Sequence, residues 1–239
     1  MFTDGFLETV RRWDGTLLGP GPENKRLEGI PVFKADWFER ILAKAHPIVP
    51  GVFWGPIIAG CTYATATDSR FKLGSAISHF VLGFLLWTLL EYLLHRFVFH
   101  LAPDGTFDSK LKQFMVHGYH HEFPNDRMRL VAPLLLSLPI AGVILGVYLL
   151  LFGRYDFWMC FAGTAAGYIA YDWTHYYTHH FRPTTRLGKF LRRYHMEHHY
   201  RDSESHFGIS SPLWDWVFGT AKGHGSASGE GEPIAHTEQ

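Results

Sequence analysis

The chain has 239 residues with 22 basic and 22 acidic side chains, so its formal net charge is zero when histidine is neutral. This length fits one large domain or two small ones, and the absence of a lysine and arginine stripe argues against a nucleic-acid-binding protein. Its two cysteines, Cys61 and Cys160, lie in separate apolar stretches and do not suggest a disulfide framework.

The first 47 residues carry no apolar run behind a basic start, so no signal peptide is predicted. Apolar side chains recur at helical spacing just before residue 48, with basic residues between them: Phe33, Trp37, Phe38, Ile41 and Leu42. This pattern predicts an interfacial helix. Residues 1–47 are therefore expected to form a cytosolic N-terminal segment that leads into the membrane.

Four apolar segments follow, at 48–67, 75–94, 130–152 and 157–177. About 20 helical residues cross a bilayer core of about 30 Å. The first and third segments meet this length without a charged residue, and the other two meet it if their polar ends lie at the interface or inside a bundle. The alternative is a set of buried core helices, but so short a chain leaves little amphipathic helix to surround them. The prediction is an all-α integral membrane protein with four transmembrane helices.

Nineteen of the 22 lysine and arginine residues lie before the first span, between the second and third spans, or after the fourth. Cytoplasmic loops carry the excess of positive charge. The N-terminus, the middle connection and the C-terminus are therefore predicted to be cytoplasmic. The Gly/Ser/Glu-rich tail 223–239 is predicted to be disordered.

The chain has 16 histidines, and ten of them fall in four short stretches on the predicted cytoplasmic side. These stretches are "HRFVFH" (95–100), "HGYHH" (117–121), "HYYTH" (175–179) and "HMEHH" (195–199). Residues three and four apart share a helix face, so each of the last three stretches is expected to present its imidazoles together. His95 and His100 are five apart, so they share a face only if the helix ends or distorts between them. Otherwise they flank one centre from different directions, or His100 lies off the helix.

Imidazole nitrogen suits zinc, iron, copper and nickel. Ten imidazoles exceed any four-coordinate site and match two metals with about five nitrogens each. The nearby polar groups Glu91, Asp172, Glu197 and Asp215 are predicted to orient imidazole N–H groups. His180 is expected to be a similar supporting group or a surface residue. His46 and His79 are predicted to be structural, His224 and His236 to be solvated in the tail, and His206 is left undecided.

With "YDWTHYYTH" (171–179) and "FGISSPLWDWVFGT" (207–220), these stretches resemble the fatty acid hydroxylase / sterol desaturase superfamily. The spacing of "HRFVFH" and the stretch "RLVAPLL" (129–135) are similar to its fatty acid 2-hydroxylase branch. The resemblance implies one membrane-embedded domain over 48–222, with a cytosolic helical cap from 95–129 and 178–222 that holds a di-metal centre. The ligands it implies are His95, His100, His117, His120, His121, His175, His179, His195, His198 and His199.

The implied activity is O2-dependent, di-iron hydroxylation of a fatty acyl chain at carbon 2, often for sphingolipid, with no catalytic side chain beyond the metal ligands. Zinc is expected to replace iron in isolated protein, because iron(II) binds less tightly. The segment before the first span is too short for the haem domain of many eukaryotic members. A separate cytochrome b5-like or ferredoxin-like protein is therefore the expected electron donor, and a bacterial inner membrane or the endoplasmic reticulum the expected location. The substrate-binding residues stay unassigned.

Three other functions remain open at this point. Desaturation or hydroxylation of another lipid, such as a sterol or carotenoid, shares the hydrogen-abstraction step. A zinc-dependent lipid hydrolase would activate water without O2 or reductant. A metal store or transporter would place its ligands inside the spans rather than at their cytoplasmic ends.

Overall fold

The structure, a computed structural model, describes residues 1–19 and 29–222, and the predicted tail 223–239 lies outside the described residues. The described part is helical and contains no strand, only one isolated antiparallel bridge between Phe2 and Phe33. The α-helices are α1 (Asp4–Arg12), α2 (Asp36–Phe38), α3 (Val49–Ala66), α4 (Leu73–Leu94), α5 (Phe107–Gln113), α6 (Tyr119–Glu122), α7 (Leu134–His180), α8 (Arg186–Tyr200) and α9 (Leu213–Phe218). Three π-helical turns, Glu39–Ala43, His95–Phe99 and Phe114–Gly118, continue α2, α4 and α5.

The first two predicted spans match α3 and α4 within two residues at each end. The predicted third span, 130–152, includes four residues before the helix, since Pro133 is the N-cap residue and α7 starts at Leu134. Helical backbone then runs to His180, so the third and fourth predicted spans belong to one helical segment of 47 residues.

The chain nevertheless reverses direction inside α7. The Tyr148 and Thr164 hydroxyls lie 2.8 Å apart, whereas 16 residues of straight helix would separate them by about 24 Å. The two limbs of α7 therefore lie side by side, and the predicted turn at 153–156 falls between these two contacting residues.

The core of the bundle lies where α3 and α4 pack on α7. Its buried side chains include Trp54, Trp87 and Phe161. Gly83 and Gly163 bring α4 and the second limb of α7 close together, because a Cβ at either position would lie about 2 Å from a backbone oxygen of the other helix. Small residues allow membrane helices to approach in this way.

Two helical stretches are long and apolar enough to cross a membrane, Leu73–Phe99 and Leu134–Phe152. Only 22% and 11% of their most apolar windows are buried, whereas the core helix of a soluble protein would be mostly buried. Leu150 is 87% exposed and Leu151 is 70% exposed. A large exposed apolar surface of this kind suits contact with lipid.

The N-terminal segment packs against the region between the second and third apolar helices. Phe6, Val10 and Phe33 are buried in a cluster with Phe114 and Tyr119. Thr3 caps α1 by accepting a hydrogen bond from the Phe6 N–H. The predicted interfacial helix is short, since α2 and its π-helical turn cover only Asp36–Ala43.

Candidate metal centre and adjoining cavity

The structure brings together all ten histidines that the sequence singled out. Each is at most 9% exposed. They form two groups of five, and within each group one ring nitrogen from every residue lies within 4.8 Å of the others. We call them group A (His95, His100, His117, His121 and His198) and group B (His120, His175, His179, His195 and His199).

The histidine triplets at 117–121 and 195–199 each contribute residues to both groups. Histidines four residues apart stay together, as His117 and His121 do in group A and His195 and His199 do in group B. The remaining histidine of each triplet belongs to the opposite group. Each triplet therefore contributes to both groups, a division that the shared helix face did not specify. The groups are adjacent, because the His121 and His199 rings stack across them at 4.1 Å.

A π-helical turn resolves the spacing of His95 and His100. The His100 N–H donates to the His95 carbonyl at 3.1 Å, which is the i to i+5 bond of a π-helix. One wider turn therefore places the two residues above each other, and both join group A. This turn is a distortion of the kind that would let residues of this spacing share a face. A second π-helical turn, Phe114–Gly118, carries His117.

The distances between ring nitrogens fit metal ligation better than hydrogen bonding. The Nε2 atom of His117 lies 3.0 Å from Nε2 of both His95 and His121. In group B, Nε2 of His120 lies 2.9 Å from Nε2 of both His175 and His199. A neutral imidazole nitrogen carries either one proton or one lone pair, so it cannot make two full hydrogen bonds of this kind.

A shared metal ion accounts for the same distances. Ligands about 2.1 Å from a metal and at right angles to each other have nitrogens about 3 Å apart. Both ring nitrogens of His100 and the Nε2 atom of His198 are buried without a hydrogen-bond partner among the described residues. The two groups could therefore hold metal ions, and their all-nitrogen donor sets fit first-row transition metals.

Two backbone carbonyls fix the orientation of group A rings. The Nδ1–H group of His95 donates to the Phe207 carbonyl at 2.5 Å, and that of His198 donates to the Ser205 carbonyl at 2.7 Å. A hydrogen bond on one ring nitrogen sets the tautomer and leaves the lone pair on the other. Nε2 of both residues thus faces the centre of the group as an acceptor.

The carboxylates of Glu91 and Asp215 bind the backbone of residues 207–210 instead of binding imidazole directly. Glu91 accepts hydrogen bonds from the backbone N–H groups of Ile209 and Ser210, at 2.7 and 2.8 Å. Asp215 accepts from the N–H groups of residues 207 and 208, at 2.9 and 2.7 Å. These two carboxylates therefore act on the imidazoles through the backbone that follows Ser205, and whether they orient the imidazoles in this way stays a prediction.

The other three predicted supporting residues have different surroundings. Asp172 is 1% exposed and lines the cavity described below, close to His175. The ring of His180 lies 4.6 Å from that of Tyr176 and belongs to neither group. Burial, followed by the charge of Arg127, lowers the pKa of His180 to about 4.

Glu197 and His206 lie close to each other and belong to neither group. An oxygen of Glu197 is 3.9 Å from Nε2 of His206, whose ring packs on Tyr194 with centroids 4.3 Å apart. His206 has a left-handed backbone with φ of 59°. It does not line the cavity described below.

Burial keeps the clustered imidazoles neutral. It lowers the pKa well below the ordinary value for seven of them, and repulsion between neighbouring imidazoles adds to the effect: His117, His120, His121, His179, His195, His198 and His199. A metal binds the unprotonated nitrogen. The site therefore has its ligands in the state that metal binding needs.

A cavity of about 370 Å³ adjoins the groups, with His117, His120 and His175 in its wall. This volume is in the range of small-molecule sites. Its walls are mostly apolar, and they come from the helical bundle, from the histidine-bearing turns and from the N-terminal segment. Sequence reasoning had left the substrate-binding residues unassigned, because these walls combine side chains from across the whole chain.

Two adjacent five-imidazole groups beside an apolar cavity, at the end of exposed apolar helices, define a class of histidine-rich metalloenzymes that act on lipids. The profile of the fatty acid hydroxylase family matches residues 80–220. This chain belongs to that family.

Relatives and one solved structure agree with the family. The chain is 35% identical over 206 residues to a dihydroceramide fatty acyl 2-hydroxylase of Arabidopsis thaliana, covering 81% of this chain and 80% of the relative. It is 37% identical to the ceramide very long chain fatty acid hydroxylase scs7 of Schizosaccharomyces pombe, covering 91% of this chain and 60% of the relative. A solved structure, full-length scs7p with only the hydroxylase domain visible, matches with a TM-score of 0.78 and 29% identity, covering 96% of this chain and 83% of that one.

The human fatty acid 2-hydroxylase is 39% identical over 212 residues, covering 80% of this chain. The match covers only 56% of the human protein. The chain thus spans most of the plant relative but little more than half of the yeast and human ones.

Proposed function

We propose that this protein hydroxylates a fatty acyl chain at carbon 2, using O2 and a di-iron centre held by groups A and B. The observation that carries the proposal is the contact between the two five-imidazole groups and an apolar cavity, through His117, His120 and His175. The printed names of the relatives, which are fatty acid 2-hydroxylases and ceramide hydroxylases, support the same reaction and an acyl or ceramide substrate.

Each group would hold one iron ion through five imidazole nitrogens. When bound, the metals supply O2 activation and removal of a hydrogen atom from the substrate. The chain's own residues hold the imidazoles neutral and inward, through burial and through the Phe207 and Ser205 carbonyls. Zinc would compete for the same nitrogens, because iron(II) lies below zinc in the affinity order.

The cavity would hold the acyl chain and exclude water from the reacting carbon. Carbon 2 is one bond from the acyl carbonyl, so the polar end of the substrate must lie beside the histidines. Val98 and Met115 line the cavity and are 48% and 44% exposed. These exposed apolar side chains would border an opening through which a lipid enters from the bilayer.

We further propose that α3, α4 and the two limbs of α7 all cross the membrane. The four segments and the histidine-bearing cap would form one domain over 48–222, preceded by the cytosolic segment 1–47. The distribution of lysine and arginine supports cytoplasmic termini. An inner bacterial membrane or the endoplasmic reticulum would suit this topology.

The reaction requires an external electron donor. Insertion of one oxygen atom of O2 into a C–H bond, with the other released as water, consumes two electrons and two protons. A separate cytochrome b5-like or ferredoxin-like protein would provide these electrons.

Lipid profiling of cells that express the protein tests the proposal. Wild-type cells should accumulate 2-hydroxy acyl lipid, with a mass gain of one oxygen, whereas a loss of two hydrogens would identify a desaturase. His198→Ala should lose metal and product, since it removes a group A nitrogen. Product formed under strict anaerobiosis, or a His198→Ala protein that keeps both metals and full activity, would contradict the proposed mechanism.

A further inference from the structure

The cavity is lined by buried side chains from two different parts of the chain. At one end lie the bundle side chains Trp54 and Phe161, which are 4% and 7% exposed. At the other end lie Phe6, Val32 and Phe33 of the N-terminal segment, which are at most 5% exposed. The match to the family profile begins at residue 80, so the second end lies outside it.

The histidines lie between these ends. Phe161 precedes His175 by fourteen residues on the second limb of α7, which is about 21 Å of helical rise. Phe33 packs instead in the cluster of Phe114 and Tyr119, which flank His117 in the chain. The reacting carbon would therefore lie between a bundle end and an N-terminal end.

Hydrogen bonds hold the N-terminal wall of the cavity, formed by Phe6, Val32 and Phe33, in place. Buried Glu39 accepts from the backbone N–H groups of Val32 and Phe33, at 3.0 and 2.9 Å. The same carboxylate pairs with the buried guanidinium of Arg129, next to the cap. The Thr3 N–H donates to the Val32 carbonyl at 2.9 Å. Because this wall is held in place on both sides, it can discriminate between substrates by their shape.

Hydroxylation at carbon 2 determines how a substrate must lie in a cavity of this form. The acyl tail and the group bonded to the carbonyl leave the reacting carbon in opposite directions, so they occupy opposite ends. We infer that Val32 and Phe33 select the group attached to the acyl carbonyl, with a preference for a hydrocarbon-bearing group, while the bundle end selects acyl chain length. This inference rests on the proposed function.

Two substrate series would separate the roles of the two ends. One series keeps the acyl chain constant and varies the long-chain base joined to it by an amide, and the other varies the acyl chain on one base. Phe33→Ala enlarges the N-terminal end, so it should shift the kcat/KM preference toward bulkier bases by about tenfold or more, as hydrophobic pockets discriminate at that level. Its acyl-length profile should stay as in the wild type.

Three further variants complete the design. Phe161→Ala should show the reverse pattern, with a changed acyl-length profile and an unchanged base preference. Val32→Phe narrows the N-terminal end and should shift preference toward smaller bases, which keeps the inference testable if Phe33→Ala fails to fold. Val10→Ala removes packing from the same cluster without touching the cavity, so it should leave both profiles unchanged.

The outcomes distinguish this inference from the proposed function. If wild-type protein forms 2-hydroxy product and Phe33→Ala or Val32→Phe leaves the base preference unchanged, the assignment of the N-terminal wall is wrong. A change of acyl-length profile in these two variants would mean that the tail occupies this end, which also overturns the inference. If wild-type protein forms no 2-hydroxy product, the proposed function itself fails.

Discussion

At the scale of single residues, the role of Glu91 can be tested separately from that of the histidines. Its carboxylate holds the backbone of Ile209 and Ser210, next to the Phe207 carbonyl that orients His95. Glu91→Gln keeps the shape of the side chain but replaces one acceptor oxygen with an amide NH2 group. We expect metal affinity to fall by about 10- to 100-fold, as when other groups that orient metal ligands are removed.

Competition with a chelator, followed by metal analysis of the protein, would measure this loss. Asp108→Asn is the matched control, because Asp108 is an exposed carboxylate in the first turn of α5 and should leave metal retention unchanged. Equal metal retention in Glu91→Gln and wild-type protein would show that the loop holds its position without this carboxylate.

The histidine stretches themselves could be found from the sequence, because their spacing is local. The division of the histidines into groups A and B could not be found from the sequence. It depends on how α8 meets the end of α7, which residue spacing does not show. The spacing of His95 and His100 indicated a possible distortion, but not that it is a π-helical turn that brings both into group A. The sequence singled out Glu91 and Asp215 as candidate supporting groups. Their hydrogen bonds go to the backbone within residues 205–210, and the sequence does not reveal the path of that backbone.

At the scale of helices, the contact between α4 and α7 depends on glycines. A Cβ on Gly83 would lie 1.9 Å from the Cys160 carbonyl oxygen, so Gly83→Ala must push the helices apart. The Thr164 hydroxyl, which donates to the Gly83 carbonyl at 3.0 Å, would lose its geometry too. We expect a loss of about 1–3 kcal/mol in the free energy of unfolding, the usual cost of overpacking.

Thermal unfolding in detergent would detect this loss as a lower Tm. Gly74→Ala is the control, since Gly74 lies on the same helix and a Cβ there would have no neighbour within 4 Å. It should leave stability unchanged or raise it slightly. A Gly83→Ala protein as stable as Gly74→Ala would mean that the two helices can separate at little cost.

Hydropathy was enough to locate these apolar helices, since long uncharged segments need no tertiary information. It did not predict that the third and fourth segments share one continuous helical segment, Leu134–His180, whose limbs are joined by contacts such as that between Tyr148 and Thr164. A contact between residues 16 apart has no counterpart in a hydropathy profile.

At the scale of the whole molecule, the N-terminal segment makes contacts that its sequence did not predict. It was expected to be a cytosolic segment with an interfacial helix, and the structure adds that the Gly19 N–H donates to the His199 carbonyl at 2.6 Å and Lys110 donates to the Trp13 carbonyl at 2.9 Å. These contacts join residues about 100 or more apart in sequence, and no periodic pattern in the sequence predicts them. The segment thus contacts the helix that carries group B histidines as well as the cavity.

The buried histidines predict how the stability of the metal-free protein depends on pH. Their folded-state pKa values lie below the ordinary value of about 6.5, so the unfolded chain binds more protons as the pH falls through that value. Stability should therefore be highest above pH 7 and should decrease below about pH 6.5, by up to about 1.4 kcal/mol per pH unit for each such histidine. His199→Gln removes one titrating group and should give a shallower decrease. Thermal unfolding in chelator between pH 5 and about pH 8 would measure both slopes, and equal stability across that range would show that the imidazoles take up protons without unfolding the protein.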